Sequence, residues 1–210
     1  MSSHLAAFEL QFPAAEIQSL ALRFPGQDDP GFRVTGAAVR ARGYYTRGEF
    51  IRVCRWKTPR SAPKVTANSA RTVRRATGSA LVTEDEQVRM QALLGLDGVG
   101  VPTASTLLYC VWPERYPILD VRALESLGVK PRSVYPLRFW LEYLAACRAL
   151  SARYDVDLRT LDKALWQHSK ERSMPRSSAK PGPRGDPVLR VRCSRSLTDA
   201  PRSAPQRLST

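Results

Sequence analysis

Histidine and cysteine are scarce, and their scarcity narrows the chemistry first. The 210 residues contain two histidines, His4 and His168, and four cysteines, Cys54, Cys110, Cys147 and Cys193. No two cysteines have CxxC spacing, so the donor clusters of a zinc site are missing and no metal is expected. Four scattered thiols read as reduced core residues of a cytoplasmic protein. No apolar run approaches the roughly 20 residues that span a bilayer, so no membrane partner is expected. The N-terminus lacks a basic region followed by an apolar core, the pattern of a secretory signal. A P-loop and a dinucleotide fingerprint are also absent, and no cofactor is expected.

Acidic residues are also in short supply. Nineteen Asp and Glu stand against 33 Lys and Arg, giving a net charge of +14. Such a balance favours a polyanionic partner such as nucleic acid. The charge is uneven. Residues 170–210 hold ten Lys or Arg against three acids, so the longer preceding part is only moderately basic. From about Arg172, Pro, Ser, Arg and Gly dominate and apolar clusters are small. That composition cannot offset its ordering entropy, and residues 172–210 are expected to form a disordered basic tail. Residues 1–171, with 43% hydrophobic residues over the whole chain, are expected to form one helical domain.

Apolar spacing is helical nearly throughout, and the expected fold class is all-α. Residues 5–24 carry one such pattern, interrupted near Pro13. Asp28-Asp29-Pro30-Gly31 reads as a turn. Thr46 with Glu49, and Thr83 with Glu86, have capping-box spacing. Asn68 is placed to cap the helix containing Val73, Ala76 and Leu81. Residues 136–152 and 157–171 form the last two helices, with Phe139, Trp140, Tyr143 and Trp166 on core faces. His168 reads as a surface residue. Residues 34–45 are ambiguous.

The densest signal lies between Leu93 and Gly128. Gly95-Leu96-Asp97-Gly98-Val99-Gly100 follows an apolar helix, and Pro102 suits the first turn of the next one. Glycines there permit a tight turn and a close backbone approach. The amides opening the second helix point outward, with the helix dipole behind them, and make a phosphate a natural ligand. The expected DNA-backbone contacts are Gly98, Val99, Gly100, Val101, Thr103 and Ala104. Downstream, Tyr116-Pro117-Ile118-Leu119-Asp120 puts an acid at the N-cap of another helix, which Gly128 ends.

This segment resembles the helix-hairpin-helix base-excision DNA glycosylases related to endonuclease III and the adenine glycosylases, the latter with a similar Pro-Ile-Leu-Asp. Over residues 43–171, Tyr44-Tyr45, Trp-Lys-x-Pro-Arg at 56–60 and Ile-Leu-Asp at 118–120 are also similar to a group of uncharacterised bacterial proteins. The resemblance implies a compact glycosylase-like helical domain that binds double-stranded DNA, mainly through the phosphate backbone. It implies a catalytic Asp120, whose carboxylate would stabilise positive charge developing on the sugar and orient a water. Bifunctional relatives have a Schiff-base lysine just after the hairpin. Pro102 stands there, so the resemblance implies a monofunctional glycosylase without lyase activity. The cysteines that hold an iron–sulfur cluster in many relatives are absent. Tyr44, Tyr45, Trp56, Lys57 and Arg122 are candidate pocket residues, through stacking on an extruded base or holding phosphate. Trp56 also reads as a core residue. Two other readings remain open: a noncatalytic helix-hairpin-helix DNA-binding protein, and a helical interaction module without DNA. A monomer is favoured.

Overall fold

A computed structural model describes residues 8–25 and 30–173. The expected disordered tail falls almost wholly on residues 174–210, outside the described residues. Arg172 and Ser173, assigned to that tail from composition, still belong to a helix. The described residues fall within one unit, Met1–Pro175. Among them the protein is all-α, with ten helices and no strand. No helix among the described residues is long and apolar enough to cross a membrane.

The helices are α1 (Ile17–Arg23), α2 (Pro30–Arg42), α3 (Arg47–Lys57), α4 (Ala62–Ala67), α5 (Ala70–Val82), α6 (Glu86–Leu94), α7 (Val101–Val111), α8 (Val121–Ser126), α9 (Leu137–Arg153) and α10 (Leu158–Ser173). Helix α7 is the central element. Its sequence, VPTASTLLYCV, is apolar or small on every side, as a helix surrounded by protein requires, and only Pro102 among its residues is not buried. Helices α2, α3 and α6 pack around it. Helix α10 packs against α1, α8 and α9.

Local chemistry sets most boundaries. Thr46 caps α3 with the reciprocal Glu49 contact expected of a capping box. Two other caps shift by a residue or two. Helix α6 is capped by Asp85, which accepts the Val88 amide, while Thr83 accepts the Asp85 amide before the helix begins. The Thr83 carbonyl is held instead by the buried Arg89 guanidinium, which also donates to Ala80 O at 3.0 Å. Helix α5 is capped by Ser69, not Asn68, because the Asn68 side chain is engaged elsewhere. Residues 8–12 of the expected first helix are not helical: the amides of Glu9 and Gln11 donate to Leu127 O and Ser126 O. The ambiguous residues 34–42 are helical, within α2.

Helix α2 meets α7 at Gly36. A β-carbon at that position would lie 1.9 Å from the Cys110 carbonyl oxygen, so backbone touches backbone there. Nothing in the local pattern of residues 34–45 announces this, because a mid-helix glycine gains its meaning from the helix opposite. Gly36→Ala is therefore expected to cost about 3 kcal/mol or more through forced separation of α2 and α7. Urea denaturation of the variant checks this; a loss below about 0.5 kcal/mol would rule out the tight crossing.

Candidate functional site

Two of the segments singled out in the sequence come together around the start of α7. The turn between α6 and α7 is pinned from outside by Asn68. Its amide nitrogen donates to Asp97 O at 2.9 Å and to Val65 O at 3.0 Å, and its oxygen accepts the Asp97 amide at 3.0 Å. One side chain thus fixes the tip of the turn to the end of α4. Gly98 has a φ of +76°. An added β-carbon there would also sit 2.9 Å from both Lys64 Cβ and Val65 N. Glycine is required at 98 for both reasons.

Gly100 differs from the expectation. Its φ is −96°, and an added β-carbon would meet only Pro102 Cδ, at 3.8 Å. Sterically it is an ordinary N-cap. The outward amides are also fewer than expected. Val99 donates its amide to Leu96 O, and Ala104 donates its own to Gly100 O, the first bond inside α7. Neither amide is available to a phosphate. The amides between the turn and Ala104, the first helical donor, are those of Gly100, Val101 and Thr103, since Pro102 has none. The Val99, Val101, Thr103 and Ala104 side chains are buried. Lys64, whose Cβ lies against Gly98, is exposed, and so is Arg60 just before α4.

Asp120 caps α8 by accepting the Arg122 amide at 3.0 Å on Oδ1. Its other oxygen, Oδ2, accepts from Lys57 Nζ at 2.6 Å. Lys57 is the last residue of α3, and the next residue, Thr58, meets Thr103 of α7 with 3.2 Å between hydroxyl oxygens. The Lys57 side chain is 11% exposed and that of Asp120 is 30% exposed, so the carboxylate is the more open partner. Burial pushes the Asp120 carboxyl up. The charge and hydrogen bond of Lys57, with the Arg122 amide and charge, outweigh that and hold it below its usual range. Asp120 is an ionised, oriented carboxylate at neutral pH.

The chain leading to Asp120 is neither helix nor strand, so side chains satisfy its backbone. Ile118 donates its amide to Asp162 Oδ1 at 3.3 Å, and Leu119 donates to Ser105 Oγ at 3.0 Å. The Tyr143 hydroxyl donates to Ile118 O at 3.0 Å. Asp162 also accepts from Arg159 at 2.7 Å. Burial pushes the Asp162 carboxyl up to about 6, against the charges of Arg159 and Lys57 and with that of Asp120. Arg159 also lines a cavity of about 830 Å³ with Phe32, Val34, Ala37, Tyr109 and Cys110.

The candidate pocket residues separate. Trp56 does not close the core: it is 52% exposed, with its ring centroid 4.9 Å from that of Phe32, beside Lys57 in sequence. Tyr45 is buried, and its hydroxyl donates to Leu107 O at 2.7 Å, so it offers no face to a ligand. Tyr44 lies under Arg42 and Arg74, with centroid distances of 5.1 and 4.5 Å, against α5 rather than at Asp120. The Arg122 guanidinium stands over the Trp166 ring at 5.2 Å, and the cation paired with Asp120 is Lys57. Trp166 is only half-buried, whereas Phe139, Trp140 and Tyr143 are core residues. His168 is half-buried rather than a plain surface residue, stacked on Phe12 and bonded to Ser126 Oγ at 2.9 Å.

Sequence reading missed Asn68 as a clamp, and missed Ser105, Tyr143 and Asp162 as supports. Asp162 did carry a signal, as an acid beside Leu161 and Leu165 on a buried helix face. Among the described residues no three His, Cys, Asp or Glu side chains gather as a metal-binding group. Comparison with protein-family models, with curated proteins and with solved structures returned no match.

Two outcomes test this geometry. Gly98→Ala should lose about 3 kcal/mol of stability through its positive φ and the contact with Val65. Gly100→Ala should lose no more than about 1 kcal/mol, the usual difference at an N-cap. Equal losses in urea denaturation would contradict the asymmetry. For Asp162, the folded state holds its proton more tightly than the unfolded state. Its contribution is therefore full at about pH 4 and is lost as pH rises through about 6. Stability of Asp162→Asn relative to the native chain should rise between pH 4 and 6 and then level; a pH-independent difference would refute it.

Proposed function

We propose that the protein binds double-stranded DNA, mainly through phosphates, and hydrolyses the N-glycosidic bond of a base, with Asp120 as the catalytic carboxylate. The observation that carries this reading is the fixed, ionised and partly open Asp120 carboxylate, a short chain distance beyond the glycine turn that leads into α7. A carboxylate held in that way can stabilise positive charge developing at the sugar without reorganising. It can also orient the attacking water. The Gly100, Val101 and Thr103 amides, with Lys64 and Arg60 nearby, suit a phosphate whatever the base sequence. The half-exposed Trp56 supplies an aromatic face beside Lys57 for an extruded base. A glycosylase-like arrangement of the helices and a cytoplasmic location belong to the same proposal.

One observation favours a noncatalytic DNA-binding protein instead. Both Asp120 oxygens already have protein partners, the Arg122 amide and Lys57. The third reading, a helical interaction module, dispenses with DNA.

Single-turnover excision on duplexes carrying a panel of damaged and mismatched bases separates the first two. Asp120→Asn keeps a good N-cap and should lower excision by about 100-fold or more, with duplex binding retained. Excision equal to that of the native chain would refute a catalytic Asp120. Duplex affinity should fall with salt at a log–log slope of about −0.9 per phosphate contacted. A flat profile would leave the interaction-module reading.

A further inference from the structure

We propose that the cavity between α2, the end of α7 and the start of α10 binds a small aromatic anion, a flat apolar body carrying one acidic group. Its volume of about 830 Å³ is in the range of sites for small organic ligands. Lys57, Asp120 and Trp56 are not among its lining residues. The cavity is therefore separate from the site proposed for DNA, and the inference does not rest on that reading.

The buried Phe32, Tyr109 and Cys110 give the cavity an apolar lining, two of them aromatic. Val34 and Ala37 of α2 border it from the solvent side, and Val34 is 72% exposed. A single exposed valine is ordinary. Here it continues an aromatic surface, and a flat ligand would cover both. The lining is also rigid. Gly36 brings the backbone of α2 against Cys110 O, Cys110 Sγ donates to Phe32 O at 3.5 Å, and Arg40 donates to Val111 O. These contacts join the same two helices, so the cavity keeps its shape without a ligand, which lowers the cost of binding.

Three arginines supply the charge: Arg33, Arg40 and Arg159. Arg159 is held by Asp162 at 2.7 Å, and its guanidinium stands over the Tyr109 ring at 5.0 Å. A cation is thereby fixed beside the aromatic lining. Arg33 is exposed and pairs with no carboxylate among the described residues. Two acids, Asp157 and Glu114, also line the cavity. Asp157 spends both oxygens on Thr160, accepting its amide at 2.8 Å and its hydroxyl at 2.7 Å. Glu114 also lines a neighbouring cleft with Arg115 and Arg148, whose charges oppose its own. Cations remain in excess, and a guanidinium fork suits an oxyanion. The apolar lining selects the body of the ligand and the arginines select its charge.

A fluorescence titration of the full-length protein with anilinonaphthalene sulfonate tests this. Emission should saturate at one dye per chain, with a Kd of about 10–100 µM. The neutral dye phenylnaphthylamine has the same rings without the sulfonate and should bind about tenfold more weakly. Ala37→Trp fills the cavity from α2 and should abolish the saturable signal. Arg33→Gln removes an exposed cation that no carboxylate holds, and should weaken the dye about tenfold at an unchanged melting temperature. If Ala37→Trp lowers the melting temperature, Arg33→Gln decides alone. A native chain without saturable binding would overturn the proposal. Equal affinity for the neutral dye would overturn it too. So would an affinity unchanged in Arg33→Gln, which would place the dye elsewhere on this basic chain.

Discussion

The peptide at residues 117–120 runs through the interior with no regular secondary structure, and everything proposed for Asp120 depends on how that is tolerated. Buried backbone groups must find partners or cost a few kcal/mol each. Here the partners come from three helices: Ser105 of α7, Tyr143 of α9 and Asp162 of α10. The segment is thereby located against most of the core before its last residue is reached. Asp120 then starts α8 and meets Lys57 from α3. A carboxylate placed by so many independent elements has little freedom to relax, which is the condition for electrostatic stabilisation of a transient charge.

The charge arrangement follows from that framework. Two carboxyls meet the same short segment, Asp120 as its last residue and Asp162 as the acceptor of the Ile118 amide, and their proton affinities are driven apart. Asp120 is partly open, paired with an ammonium and helped by an amide, so it stays ionised. Asp162 is deeply buried, and the cost of its charge is only partly offset by Arg159. The outer carboxylate is suited to chemistry and the inner one to holding the backbone. Trp56, half-exposed and tilted against Phe32, adds an aromatic surface at the end of the helix that delivers Lys57.

The helical character was legible in the chain, because helical spacing, the Thr46 capping box and the Asp120 cap are local features. Features that depend on a distant partner were not. Asn68 looks like a helix cap until Asp97 is seen opposite it, after which Ser69 must do the capping. Gly98 and Gly100 look equivalent in sequence, yet only Gly98 has a positive φ and a neighbour pressed against it. Tyr45 and Trp56 were both aromatic candidates, and only packing shows that the first is buried and the second half-exposed. Lys57 was among the candidate pocket residues, but its pairing with Asp120 was not legible, since 63 residues of chain separate the two and nothing short of the fold brings them together.

The double-ended amide of Asn68 also defines a chemical vulnerability. Its nitrogen faces two carbonyl oxygens, Val65 O and Asp97 O, while its oxygen faces an N–H. Deamidation would exchange that nitrogen for an anionic oxygen and turn two attractions into two repulsions, beside the carboxylate-bearing Asp97. The turn would then lose its tether to α4 without any change in backbone sequence length or side-chain size. Aged protein would contain a subpopulation with the approach to α7 loosened, distinguishable from fresh protein by about one mass unit.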